Sequence, residues 1–250
     1  MQWRILISPA KKMRDHSDFP APCSQPVLLH KTETLLQRLR TFSPQHLQQL
    51  LGCNADIATL NYDRFQKMQL DRQLSSAILA YDGIQYQYMA PQVFEDRHFI
   101  YIQKYLRILS GFYGILRPLD GICSYRLEMQ APLAVENHPN LYSFWGNALW
   151  QQLQAEQCEA LLDLSSAEYS KAVRPYLPSG FPRYTCIFGQ QLGQKIIEKG
   201  VYVKMARGEM VRWLAEQNCT DPLQLKNFNR LGYCYSARHS TSDTFVFIKP

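Results

Sequence analysis

The chain has 250 residues, 46% of them hydrophobic and 19% charged, a balance that calls for one packed core and excludes a long disordered chain. Twenty-seven Lys and Arg against 21 Asp and Glu leave a net charge of +6, which permits a polyanion partner without the clustered excess of a dedicated nucleic-acid module. Seven cysteines show no zinc-knuckle or redox spacing and no apolar run reaches signal or membrane-spanning length, so free thiols and a soluble cytoplasmic chain, away from membranes, are expected.

Trp3 to Ser8 reads as a buried opening strand, since Ile5, Leu6 and Ile7 run unbroken, and it delivers Lys11 and Lys12 to a strand end, where sites are often built. Residues 13 to 26 hold three prolines and no periodicity and read as a loop. Val27 to Phe42 has Leu28, Leu35, Leu36 and Leu39 at helical spacing. Ser43-Pro44 is an N-cap with proline at the first helical position, that helix stops at Gly52, and Asn54 caps the next, Ala55 to about Gln66. Residues 43–66 thus have the size of a helix-hairpin-helix, which aims backbone amides at phosphate, although the turn lacks the usual Gly-x-Gly and a plain helical hairpin reads as well.

Leu74 to Tyr81 and Asp96 to Leu109 read as helices, the second with Phe99, Ile102, Leu106 and Leu109 on one face. The run from Leu109 to Asp120 then crowds Gly111, Gly114, two aromatics, Arg117 and Asp120 together, either as a structural ion-pair knot or as a site. Tyr125 to Leu133 reads as a strand, Tyr142 to Gln157 as a helix, and Ala160 to Leu164 as a short buried strand followed by a helix to Val173 that Ser166 is placed to cap. Tyr184 to Phe188 reads as a strand, Val203 to Gln217 as a helix and Phe245 to Ile248 as a closing strand. The alternation predicts an α+β (mixed α/β) fold, a single domain over residues 1–250 with a central mixed sheet surrounded by helices.

Four polar groups stand out. Lys11 at a strand end suits phosphate contact or, if desolvated, base or Schiff-base chemistry, against the plain alternative of a solvated lysine. On a strand, Arg126 and Glu128 share one face and line a pocket together, unless they form only a surface ion pair. Glu168 and Tyr169 fall at a helix start, where a glutamate also suits the dipole for purely structural reasons. Lys204 and Arg207 lie at i and i+3 without an interleaved acid, and Gly208, costly inside a helix by about 1 kcal/mol, predicts a close approach by another chain segment or a ligand. No metal-ligand cluster, Walker loop or nucleophile elbow is present, and neither a metal nor a cofactor is expected.

The words Leu6-Ile7-Ser8-Pro9-Ala10-Lys11, Leu109 to Asp120, Tyr125 to Met129, Phe144-Trp145-Gly146, Leu164 to Tyr169, Lys204 to Gly208 and Gly232-Tyr233 occur in one order along the chain. In them the sequence resembles the YaaA family of bacterial peroxide-stress-resistance proteins, with Lys12 where that family usually has threonine. The resemblance implies a cytoplasmic protein with a fold of its own that limits oxidative damage and binds double-stranded or distorted DNA, with no agreed catalytic reaction.

Two functions follow. The first is sequence-independent DNA binding, duplex or junction, through Lys11, Lys12, Arg117, Arg126, Lys171, Arg174, Lys204 and Arg207, with Tyr113, Tyr125 and Trp145 available to stack on unpaired bases. The second is an enzyme with Lys11, Glu128, Glu168 and Tyr169 as catalytic candidates acting on a base-like or phosphorylated small substrate. The pocket idea expects Glu128 and Glu168 together beside Lys11 and Arg126, at the ends of the first and the Ala160 to Leu164 strands.

Overall fold

A computed structural model describes residues 2–14, 20–193 and 195–249; part of the loop expected over residues 13 to 26 therefore lies outside the described residues. The chain opens with β1 (Trp3–Ile7) and β2 (Lys12–Met13), then the helices α1 (Leu29–Arg40), α2 (Pro44–Leu51) and α3 (Ala55–Lys67). Ser43 accepts the His46 amide at the start of α2, Gly52 closes it in the left-handed region at φ 52°, and Asn54 accepts the Ile57 amide at the start of α3. The Gly52 and Cys53 amides bond back to Gln49 and Gln48, ending α2.

Next come β3 (Ser75–Ser76), α4 (Ala77–Ala80), β4 (Tyr81–Asp82), α5 (Ile84–Met89), α6 (Asp96–Tyr105), β5 (Leu106–Ser110), β6 (Gly114–Leu116) and β7 (Gly121–Ile122). The helix expected over Leu74 to Tyr81 is thus reduced to one turn. Ser75 and Ser76 pair with β7, the Ala77 amide donates to Asp120, and Tyr81–Asp82 pairs with β2, so tertiary partners take the backbone groups a helix would have used. The helix expected over Asp96 to Leu109 stops at Tyr105. Leu106 to Ser110 is a central strand buried along its whole length, and a short apolar run of that kind carries no periodicity that separates helix from strand.

The second half holds α7 (Leu141–Trp145), α8 (Ala148–Ala155), β8 (Ala160–Asp163), α9 (Ala167–Ser170), β9 (Arg183–Leu192), β10 (Lys195–Ile197), α10 (Gly200–Glu216), β11 (Cys234–Tyr235) and β12 (Thr244–Lys249). Gly146, at φ 48° and ψ −132°, divides the expected single helix of Tyr142 to Gln157 into α7 and α8. Tyr125 to Leu133 is no strand: β6 turns back on β5 and takes the sheet edge, so this segment crosses over the hairpin instead. Its Leu127 carbonyl lies where a side chain on Gly111 would stand, which is why that position is glycine.

Eight of the strands form one sheet in the order β11-β12-β9-β8-β1-β5-β6, with β10 beside β9, while β2 pairs with β4 and β3 with β7 apart from it. β1 runs parallel to both β5 and β8, β8 to β9 and β9 to β12, while β6, β10 and β11 are antiparallel to their neighbours. The result is a mixed α/β domain. β1 and β8 are wholly buried, as strands covered on both faces must be, and among the described residues no helix is long and apolar enough to cross a membrane.

Candidate active site

Past the C-terminal ends of β1 and β8 lies a cavity of about 440 Å³, the usual position for a site at the mouth of parallel strands. The loop from Ser8 to Lys12 forms one side, the crossing segment Tyr125 to Glu128 a second, Ser166, Glu168 and Tyr169 a third, and Asp82 to Tyr86 with Lys204 and Arg207 of α10 the fourth. Two bonds lock the β1 end in place: Ser8 Oγ accepts the Ser166 amide at 2.8 Å, and the Tyr86 hydroxyl donates to the Ser8 carbonyl at 3.0 Å. Ser166 holds the N-cap position of α9 without the side-chain cap expected of it.

Glu128 and Glu168, 40 residues apart in the chain, face this one space. Glu128 Oε1 lies 3.0 Å from Lys11 Nζ and 3.0 Å from an Arg126 guanidinium nitrogen. Arg126 also donates to the Leu51 carbonyl at 3.4 Å, linking the site to the end of α2. Glu128 Oε2 is buried with no hydrogen-bond partner. The Gln130 amide donates to Glu168 Oε1 at 3.2 Å. Burial, followed by the Glu128 charge, raises the Glu168 pKa above the ordinary carboxylate range in spite of the Gln130 bond and Lys11. Burial also holds the Tyr169 phenol neutral, well above its ordinary value.

The fourth wall depends on Gly208. A side chain there would run into the Gln85 carbonyl and the Met89 amide, so α5 rests directly on α10 and Gln85 and Arg207 flank that contact. The close approach expected at Gly208 is therefore made by α5. Gln85 Nε2 and Arg207 Nε are buried without partners, and burial lowers the Arg207 pKa against the nearby charges of Glu198 and Asp163. The other such atoms among the described residues belong to Trp3, Asn61, His98 and Arg117, none of which lines this cavity.

Beneath the cavity a hydroxyl chain fixes Tyr125: its phenol is 2.8 Å from Tyr81 and 2.6 Å from Ser110, whose oxygen also accepts the Phe112 and Tyr113 amides. Burial pushes the Tyr125 phenol up to about 12. Asp163, at the end of β8, accepts from Ser165, Ser170 and Arg183 and has its bonding complete within the fold.

Of the residues singled out in the sequence, Lys11, Lys12, Arg126, Glu128, Glu168, Tyr169, Lys204 and Arg207 all line the cavity. Arg117 does not; it approaches Glu156 at 3.6 Å. Lys171 and Arg174 are exposed beyond α9. Tyr113 and Trp145, expected to stack on bases, are buried to 1% exposure and are core residues: Trp145 donates to the Gly111 carbonyl, and the Tyr113 phenol oxygen accepts the Cys123 amide at 3.0 Å. Gln85 and Tyr86 were not anticipated. The signal for them was Gly83, where a side chain would collide with Ala10 of the opposite loop, followed by a polar and aromatic run too short for periodicity.

Comparison with known proteins gives a consistent answer. A family profile described as peroxide stress protein YaaA matches residues 3–239. The chain is 53% identical over 246 residues to a UPF0246 protein of Desulfitobacterium hafniense (strain Y51), covering 98% of each. It is 46% identical over 246 residues to a UPF0246 protein of Pediococcus pentosaceus, again covering 98% of each, and 45% identical over 246 residues to one of Lachnoclostridium phytofermentans, covering 98% of this chain and 96% of the relative.

Proposed function

The chain belongs to the YaaA family of peroxide stress proteins, and from that premise we propose that it acts in peroxide stress through its cavity, as an acid–base site for a base-like or phosphorylated small substrate. One observation carries this reading: Glu128, Gln85 and Arg207 all line the cavity, and each has a buried side-chain atom without a partner, Glu128 Oε2, Gln85 Nε2 and Arg207 Nε. Leaving a buried polar group unpaired costs about 1–3 kcal/mol, more when it is charged, and three such residues around one cavity are explained by a ligand that draws these groups into bonds. Glu168, its pKa raised by burial, is better suited than an ordinary carboxylate to donate a proton, and Glu128, fixed by Lys11 and Arg126, to accept a hydrogen bond or a proton. Tyr169 supplies a neutral hydroxyl. Glu168→Gln is expected to abolish peroxide protection in cells while circular dichroism stays that of the parent; full protection by the variant would overturn the acid–base role.

A second reading is sequence-independent DNA binding that limits oxidative DNA damage in the cytoplasm. Its support is the exposure of Lys11, Lys12 and Lys204 around the cavity mouth, which suits contact with backbone phosphate. On this reading duplex or junction DNA is retarded in gels with little sequence preference, and its affinity falls steeply with salt. No retardation at low salt would end it.

A further inference from the structure

We infer that the cavity binds a nucleotide in a fixed direction, its phosphate against Gln85, Lys204 and Arg207 and a base N–H against Glu128; this rests on the acid–base reading above and names its ligand. Gln85 and Arg207 both line the cavity, each with a buried donor that has no partner, and belong to the two helices, α5 and α10, that Gly208 lets come together. Lys204 lies one turn away on the same face of α10. Neither Lys204 nor Arg207 has an ion-pair partner within 4 Å among the described residues. The acids nearest Arg207 are otherwise engaged, Asp163 with Ser165, Ser170 and Arg183, and Glu198 with the Phe188 amide. A wall of two cations without an ion-pair contact and an amide donor fits an anionic oxygen group.

The opposite wall asks for the reverse. Glu128 is 8% exposed, Lys11 and Arg126 occupy its Oε1, and its Oε2 is buried and free to accept one bond. A ligand that donates there and accepts at Arg207 has two chemically different ends. Tyr86, Tyr125 and Leu127 also line the cavity and give it aromatic and apolar surface for a flat ring. A volume of about 440 Å³ is within the range of small-molecule sites. A heterocycle with a ring N–H joined to a phosphate meets all three demands, whether it is a free mononucleotide or the phosphorylated end of a strand.

Calorimetric titration of the full chain with thymidine 5′-monophosphate, thymidine, N3-methylthymidine 5′-monophosphate and inorganic phosphate tests the assignment. The monophosphate is expected to bind at least about tenfold more tightly than thymidine, and methylation of N3 to remove at least about tenfold, in line with hydrogen bonds to charged groups. Gln85→Met and Arg207→Met are expected to weaken the monophosphate by about tenfold or more and to leave thymidine nearly unchanged, whereas Glu128→Gln weakens both. A 5′-phosphorylated oligothymidylate that binds more tightly than the mononucleotide identifies a strand end as the source, and the reverse order a free nucleotide. Because the unsubstituted protein alone gives the phosphate and N3 comparisons, misfolding of a variant does not rescue the idea. Equal affinity for thymidine and its monophosphate, or no binding of either, overturns it. If that happens while Glu168→Gln still loses peroxide protection, only the ligand is wrong; if protection also survives, the acid–base reading falls with it.

Discussion

Near the start of β1, Glu156 Oε2 accepts from Arg4 Nε at 2.9 Å and from Arg107 at 2.7 and 2.8 Å, its other oxygen accepts from Gln152, and the two arginines spend their remaining bonds on the Trp3, Gln103, Leu106 and Glu156 carbonyls. Past the other end of the same strand, Glu128 meets Lys11 and Arg126 through one oxygen only, and Gln85 and Arg207 keep buried donors unused. Both regions draw Arg and Glu from distant parts of the chain, and both bury them. The difference is one of degree. In the knot both Glu156 oxygens are bonded and only Arg117, which approaches Glu156 at 3.6 Å, keeps a buried Nε without a partner, whereas the cavity gathers three residues with such atoms and leaves one oxygen of its central carboxylate unbonded. A knot whose bonds nearly close on themselves is structural, and a set of groups whose bonds stop short has room for a ligand.

That contrast breaks if the knot can be opened cheaply. Glu156→Gln leaves Arg4 and Arg107 buried beside a neutral group and is expected to destabilise the fold by about 3–5 kcal/mol, the largest effect here. Glu128→Gln is expected to cost less, about 1–3 kcal/mol, because its Lys11 partner is mostly exposed and its buried Arg126 partner keeps a bond to the Leu51 carbonyl. Urea unfolding of both variants compares them; equal losses would mean that the cavity is as structural as the knot.

Gly208→Ala comes next. The added methyl meets the backbone of α5 at Gln85, and overpacking of this kind costs about 1–3 kcal/mol. Its sharper consequence is displacement of Gln85 from Arg207, so ligand affinity should fall further than stability does. A variant of unchanged stability would show that α5 shifts freely.

The two carboxyls also answer pH in opposite senses. Burial raises the Glu156 pKa, but the hydrogen bonds and charges of Arg107 and Arg4 outweigh it and leave the group below its ordinary value. Its contribution is full above the unfolded pKa, about 4.3, and is lost as pH falls through the folded value. Glu168 is raised, so its term favours the fold below the unfolded pKa and is lost as pH rises through the folded value. As pH rises toward about 4.3, the stability difference between parent and Glu156→Gln should therefore widen and then level off, whereas above about 4.3 that between parent and Glu168→Gln should shift against the parent. Parallel curves would contradict the assignment. The smallest effect is expected at the rim: Lys204→Ala changes stability by less than about 0.5 kcal/mol while weakening DNA or phosphate binding.

The sequence by itself determined the mixed α/β class, the α2–α3 hairpin with its Ser43 and Asn54 caps, the opening, β8 and closing strands, and the residue types of the site. Caps and unbroken apolar strands are local chemistry, and they read correctly because nothing distant competes with them. Only the tertiary structure decided that Leu106 to Ser110 is a strand, that Ser75 to Asp82 keeps one helical turn between two short strands, and that Tyr125 to Leu133 crosses over a hairpin outside the sheet. Each of these turns on which distant backbone takes up the hydrogen bonds. The site divides in the same way: Lys11, Glu128, Glu168 and Arg207 stand out as charged residues near glycines and strand ends, whereas Gln85 is an unremarkable side chain in a short helix. It gains its place because Gly208, 123 residues later in the chain, lets α5 settle on α10 beside Arg207, a contact that no local pattern encodes.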